Sequence, residues 1–209
     1  MTIPNVPWRA AHRWDLNLQR VAILLGGLAI FGIGDSFLVQ SHIGNAPWTV
    51  LAQGLSKVFD TGIGVMTALI SLCVLLLWIP LKEKPGFGTL ANIAIIATFI
   101  QIGVDNIPVA PNYLNGLIYA LIGISLVGIG SAFYISVGLG PGPRDGAMTG
   151  FHKKTGVRIS RVRLAIEITV LSIGAAIGGR VGVGTALFAL LIGQSIAVSC
   201  GVLARLTSE

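Results

Sequence analysis

Charged residues are scarce in this chain of 209 residues. Asp, Glu, Lys and Arg make up 11% of the chain, and 54% of its residues are hydrophobic. A soluble domain carries about 25% charged residues, so this composition suits lipid as the main solvent. The net charge of +6 then indicates orientation beside a membrane, because nucleic-acid binding would need a basic face on a soluble fold.

Cysteines and catalytic groupings are also scarce. The two cysteines, Cys73 and Cys200, lie inside apolar runs at no metal-binding spacing, so we expect free thiols and no cofactor. The three histidines stand at polar ends, far from one another in sequence. The chain has no Ser-His-Asp set and no phosphate-binding loop. We therefore expect that the protein is not an enzyme.

Long apolar stretches are the main feature that is present. A membrane-spanning helix needs about 20 mostly apolar residues. Six stretches qualify, with ends that vary by a few residues: 21–41, 62–80, 89–105, 115–137, 161–179 and 184–204. The sequence thus predicts an all-α polytopic membrane protein with six transmembrane helices. Residues 1–20 carry Trp8 and Trp14 beside arginines, which is typical of a segment at the cytoplasmic interface.

The segments between the apolar stretches are alternately rich and poor in lysine and arginine. Three arginines precede the first stretch, one lysine follows it, two lysines lie in 81–88, and 106–114 has neither residue. The segment 138–160 is again rich in both. The positive-inside rule then places both termini in the cytoplasm. A crossing by 46–59 is the alternative, but it would break this alternation and the segment is short.

An internal repeat with an offset of 96 residues divides the chain, since the segment 44–47 returns as 140–143. Further glycines keep the same offset: Gly27 and Gly123, Gly32 and Gly128, Gly34 and Gly130, Gly54 and Gly150. With three spans in each half, 21–106 and 115–206, the second copy is inverted relative to the first. The sequence therefore predicts two inverted three-helix repeats in one membrane domain, a plan shared by many transporters.

Glycine and proline break both halves at corresponding places. Proline fits the first turn of a helix, so each break predicts a short helix, at 46–59 and at 143–154. Asn45 is the expected N-cap of the first, and Asp145 suits the first turn of the second. If both helices enter from opposite sides, their N-termini form a site for an anion or carbonyl oxygen. The alternative is that both lie flat at the membrane surfaces.

Isolated polar side chains complete the predicted site. Asp35 should face the bundle interior, because a lipid-facing charge costs about 2.5 kcal/mol or more; it is a candidate for solute contact or proton coupling, with a structural hydrogen bond as the alternative. Glu167 is the other proton-coupling candidate, with an ion pair to Arg163 as the alternative. The predicted solute-binding residues are Asp35, Asn45, Pro47, Trp48, Gln101, Gly140, Pro141, Pro143, Arg144, Asp145 and Gln194.

Two motifs resemble the YczE-like integral membrane proteins of bacteria, which are related to the YitT group. One is Gly-Leu-Gly-Pro-Gly-Pro-Arg-Asp-Gly at 138–146, followed by Met-Thr-Gly; the other begins Gly-Val-Gly-Thr at 182–185. The family's first break usually reads Gly-Leu-Gly-Pro-Trp-Asp, whereas here the proline is shifted and Thr49 replaces the acid. The resemblance covers nearly the whole chain from about residue 20. It implies a protein of the bacterial cytoplasmic membrane and supplies no substrate.

These patterns predict a small-solute transporter or channel whose site lies between the two broken segments near the midplane. The expected solute is a polar or anionic small molecule, with proton coupling as an option. The expected partners are the lipid bilayer and this solute, not nucleic acid, and the small number of helices is compatible with a homodimer. The alternative is a non-transporting membrane scaffold, or the substrate-binding subunit of a larger uptake complex, that docks through the basic segment 144–163.

Overall fold

The computed structural model describes residues 6–207, and the regular elements in this range are all α-helices. They are α1 (Leu18–Ser41), α2 (Pro47–Phe59), α3 (Ile63–Leu76), α4 (Trp78–Leu81), α5 (Phe87–Asn106), α6 (Tyr113–Val137), α7 (Pro143–Thr155), α8 (Ile159–Ala176) and α9 (Val183–Leu206). The all-α prediction is confirmed. Residues 1–5 of the predicted interfacial segment lie outside the described residues.

Five helices in the described part of the chain are long and apolar enough to cross a membrane: α1, α3 with α4, α5, α6 and α9. They match five of the six predicted stretches, and the alternative crossing by α2 is not among them. The helix α8 occupies the remaining stretch, 161–179, but it carries Arg161, Arg163 and Glu167. Its 18 residues span roughly 27 Å at about 1.5 Å per residue, close to the hydrocarbon thickness of a bilayer.

The helices α1 and α6 pack closely against each other through glycines. A Cβ at Gly27 would lie 2.8 Å from the Cβ of Phe133 and 3.0 Å from the carbonyl oxygen of Gly130. A Cβ at Gly34 would lie 2.8 Å from the carbonyl oxygen of Gly123. Small residues of this kind let helix backbones approach closely in a membrane. Because the contacts run in opposite order along the two helices, α1 and α6 are antiparallel.

The other long helices surround this pair in a matching way. The helix α5 packs on α1, and α9 packs on α6. Glycine again allows the approach: a Cβ at Gly32 would lie 2.8 Å from the Cβ of Phe99, and one at Gly128 would overlap Ser195. The two short helices, α2 and α7, each contact both α3 and α8. They are therefore enclosed by the long helices on more than one side.

The two breaks have the same backbone shape and lie at opposite ends of the α1–α6 pair. Gly44 and Gly140 have φ angles of +125° and +120°, which residues with side chains rarely adopt. The carbonyl oxygens of Ile43 and Leu139 each accept a 2.9 Å hydrogen bond, from the first turn of α9 and of α5 respectively. Each break is thus held by a helix from the other half of the chain.

The cap of the first short helix differs from the prediction. The N-cap of α2 is Ala46, without a side-chain cap, so the assignment of Asn45 to this position was wrong. Asn45 is fully buried instead, and its side-chain amide donates to Oε1 of Gln53 at 3.0 Å. A buried amide needs a hydrogen-bond partner, and Gln53 provides it here. Asp145 lies in the first turn of α7, as expected.

The described part of the N-terminal segment, residues 6–17, is irregular and lies against the ends of α5 and α6 near the second break. The indole of Trp8 donates to the hydroxyl of Ser136 at 3.2 Å. Arg20 pairs with Asp15 at 2.6 Å, which ties the segment to the first turn of α1. The segment is therefore bound to the helices of the protein, in addition to having a composition that suits the membrane interface.

We expect Gly27→Ala to destabilise the fold, because the added methyl group meets Phe133 and the backbone of Gly130. Overpacking of this kind costs about 1–3 kcal/mol. Thermal unfolding of the purified protein in detergent measures the loss. The matched control is Gly26→Ala, where a Cβ meets nothing within 4 Å and alanine is the better helix former. Equal melting temperatures for the two variants would contradict close α1–α6 packing.

Candidate functional site

A cavity of about 300 Å³ lies where the first turns of α2 and α7 meet. Polar side chains reach it from α1, α3, α5, α6, α7 and α8. The volume is at the lower end of the range of small-molecule sites, about 300–1,000 Å³. The lining mixes acids, arginines and hydroxyl groups with apolar walls, so it can both orient and enclose a small polar molecule.

Trp48 and Arg144 join the two short helices across this cavity. The guanidinium carbon of Arg144 lies 5.0 Å from the centroid of the Trp48 ring, within the distance of a cation–π interaction. Among residues 6–207, Arg144 makes no ion pair or hydrogen bond. A guanidinium group has five N–H donors and no acceptor. Those donors are therefore available to an anionic or carbonyl oxygen in the cavity.

Asp35 offers the opposite chemistry in the same cavity. Its side chain is 2% exposed, and its Oδ2 accepts a hydrogen bond of 2.9 Å from the hydroxyl of Thr49. The second oxygen, Oδ1, has no hydrogen-bond partner, and neither has the buried hydroxyl of Thr67. Buried polar groups are nearly always hydrogen-bonded. Both residues line the cavity, so their unpartnered oxygens indicate a place for a hydrogen-bonding solute.

Asp145 lies between this cavity and a second pocket of about 320 Å³, which Arg13, Gly140 and Pro141 also line. The hydroxyl of Tyr134 donates to Oδ2 of Asp145 at 2.6 Å. The side chain of Asp145 is otherwise exposed. This acid therefore stands at the edge of the cavity, on the side of the second break.

Six of the predicted residues line the cavity: Asp35, Pro47, Trp48, Arg144, Asp145 and Glu167. Glu167 is paired with Arg163 at 2.8 Å, which is the ion pair that its sequence spacing indicated. Pro143 does not line the cavity, and its carbonyl oxygen accepts a hydrogen bond of 2.9 Å from the indole of Trp78. Asn45, on the loop before α2, has one unpartnered oxygen but does not line the cavity.

The predicted amides Gln101 and Gln194 do not line the cavity. Gln101 accepts a hydrogen bond of 3.0 Å from the amide of Gly64 and donates to Asp105 at 2.8 Å. It thereby satisfies a free amide in the first turn of α3, which is a structural task. Gln194 is exposed on α9.

Several residues were missing from the predicted site: Thr67, Ser131 and Tyr134 line the cavity, and Thr49 donates to Asp35 from outside its lining. The repeat carried a signal for two of them. At the offset of 96, Thr49 corresponds to Asp145 and Ser131 corresponds to Asp35. Thr67 and Tyr134 have no such signal, since hydroxyl-bearing residues are common in apolar helices and few of them face a site.

Comparisons with known proteins place the chain among bacterial proteins without an assigned activity. The family described as "Family of unknown function (DUF6198)" matches residues 18–200. An uncharacterized protein of Haemophilus influenzae is 42% identical over 98% of this chain and 94% of its own length. The "Uncharacterized membrane protein YczE" of Bacillus subtilis is 32% identical over 83% of this chain and 82% of its own length. No solved structure matches the chain. These matches confirm the resemblance to YczE-like proteins.

We expect Thr67→Val to leave the stability of the solute-free protein unchanged or slightly raised, because the hydroxyl that is lost has no partner. Thr89→Val is the contrasting variant, since the Thr89 hydroxyl donates to the carbonyl oxygen of Pro141 at 2.8 Å and accepts from the amide of Gly86. Leaving those groups unpaired costs about 1–3 kcal/mol. Thermal unfolding compares the two variants. An equal loss in both would mean that Thr67 is hydrogen-bonded within the protein.

Proposed function

We propose that this chain, which belongs to the DUF6198 family of unknown function, carries a small polar or anionic solute across the membrane. It is a multi-pass membrane protein of the YczE-like type, with several apolar helices long enough to cross a bilayer. The solute binds between the two broken segments, near the midplane, and we propose no chemical reaction on it.

One observation carries this proposal. A cation that has no ion pair lines the same cavity as a carboxylate that has one oxygen without a hydrogen-bond partner. Arg144 offers donors, and Asp35 with Thr67 offers acceptors. A charged group in the interior of a membrane protein costs roughly 2.5–3.5 kcal/mol or more. A scaffold needs only a packed midplane and gains nothing from such groups. A solute that binds both groups explains why the chain holds them there.

The mechanism that we propose is rocking of two inverted repeats about this cavity. Contacts between the two halves support such a repeat. If 96 is added to the residue number in the first half and subtracted from that in the second, a contact seen in the structure is again obtained. The contact of Gly27 with Gly130 recurs as that of Gly123 with Gly34. Trp48 and Arg144 correspond to each other, so their contact lies where a pseudo-two-fold axis would pass. Inverted halves can open a central site to either face in turn.

The proposed orientation puts the second break and both termini in the cytoplasm and the first break outside, in the bacterial cytoplasmic membrane. The distribution of lysine and arginine supports this direction. Asp145 and the pocket beside Arg13 then face the cytoplasm. For proton coupling, Asp35 is the stronger candidate, because Glu167 already has Arg163 as its partner.

The six-crossing arrangement requires that α8 spans the membrane, and a labelling experiment tests it. Val157 and Val181 flank α8 and are both exposed. In a chain with Cys73 and Cys200 replaced by Ala, we expect Val157→Cys to react with a membrane-impermeant maleimide only from the cytoplasm, and Val181→Cys only from outside. Labelling of both positions from one side would rule out a crossing by α8.

Uptake by liposomes that contain only the purified protein tests transport, with labelled inorganic phosphate and lactate as probes. We expect Asp35→Asn, Arg144→Ala and Asp145→Asn each to lower uptake by about tenfold or more, since hydrogen bonds to charged groups contribute about 1.5–3 kcal/mol. The matched control is Asp60→Asn, at the exposed left-handed C-cap of α2, where asparagine fits equally well.

Two results would contradict this proposal. Uptake that persists unchanged in all three site variants would refute the site assignment. Solute binding that depends on Arg144 without any uptake would favour the alternative of a substrate-binding subunit that acts in a larger uptake complex.

A further inference from the structure

A groove of about 830 Å³ runs beside the cavity, between α3 and α8, with α2 and α7 as its floor. Its walls are almost wholly apolar, and Leu69, Leu77 and Phe59 at its rim are exposed. In a membrane-spanning chain, exposed apolar side chains on these helices face lipid. With α8 crossing the membrane as proposed above, the groove is a lateral opening toward the bilayer.

The groove and the polar cavity meet at Trp48 and Arg144, which line both. Within the described part of the chain, Arg144 is the one charged residue in the groove lining. The only hydroxyl group there, on Thr169, donates to the carbonyl oxygen of Ala165 in its own helix. An apolar channel from the lipid thus ends at a guanidinium group whose donors are free.

This arrangement matches a molecule with one anionic end and one apolar end. A guanidinium binds a carboxylate or phosphate through two parallel hydrogen bonds, which are among the strongest in proteins. The apolar end moves from lipid into an apolar groove, so it stays in an apolar environment and its hydration does not change.

We propose that the solute is a single-chain anionic amphiphile that enters sideways from the bilayer. Its carboxylate or phosphate head binds Arg144 in the cavity beside a protonated Asp35, because two ionised acids there would repel each other. Its alkyl chain lies in the groove between α3 and α8. This inference rests on the proposed function and names the substrate class of the same site. The cavity of about 300 Å³ holds the small head, and the groove of about 830 Å³ holds the chain.

Photo-crosslinking tests the proposal in nanodiscs of neutral phosphatidylcholine, with hexadecanoate that carries a mid-chain diazirine. We expect the label on groove residues of α3 and α8, such as Met66, Ile70 and Ile166, rather than on Leu190 and Val198, which are exposed on α9. Unlabelled hexadecanoate should compete at least about tenfold better than hexadecanol, which has no charge, or butanoate, which has no long chain.

Two variants separate the head from the chain. Arg144→Ala is expected to abolish the advantage of hexadecanoate over hexadecanol, since no cation remains to bind the head. Ala165→Trp fills the groove from an exposed position on α8 and should reduce labelling by about tenfold. Leu164→Trp is the matched control, because Leu164 is also exposed beside it but does not line the groove.

The outcomes separate this inference from the proposed function. Equal competition by hexadecanol would show ordinary lipid in the groove, and equal competition by a diacyl phosphate lipid would overturn the single-chain assignment. If phosphate or lactate uptake depends on Arg144 while Ala165→Trp changes neither uptake nor labelling, the inference fails and the proposed function stands. If hexadecanoate binds through Arg144 but never crosses the bilayer, the binding inference stands and transport fails.

Discussion

The close antiparallel contact between α1 and α6 sets the position of everything else in this protein. Glycines on both helices bring the backbones together, and a side chain at these positions would collide with the partner. Because the helices run in opposite directions, the breaks that follow them lie at opposite ends of the pair. The short helices α2 and α7 therefore come from opposite ends, and their first turns meet at Trp48 and Arg144.

Irregular backbone inside a membrane must be covered by protein, because lipid offers it no hydrogen bonds. Each half of the chain provides this cover for the other. The first turn of α9 binds the first break, and the first turn of α5 binds the second, through equivalent hydrogen bonds of 2.9 Å. The breaks are thus firmly held although they are not helical. This mutual cover helps to keep charged groups such as Asp35 and Arg144 in place inside an apolar bundle.

Much of the fold and part of the site could be predicted from the sequence. The apolar runs, the prolines at the starts of α2 and α7 and the glycine repeat are local signals, and they located the helices and both breaks. The contacts of the amides were harder to predict. Gln101 and Gln194 both stand alone in apolar runs, and the rotation of each helix decides what its amide contacts. Thr67 was missed for the same reason. The sequence shows that a hydroxyl is present, but only the packing of the helices shows that this hydroxyl has no partner.

The sequence by itself determined that the chain is a set of apolar helices with two matched Gly-Pro breaks, because length, hydropathy and proline geometry act locally. Tertiary structure decided the chemistry. Packing placed Arg144 over Trp48 without an ion pair, although Asp35 and Asp145 line the same cavity, and it left one oxygen of Asp35 without a partner. It also opened an apolar groove that ends at that same arginine. These features depend on how helices cross and rotate, which only the contacts among all of them can set.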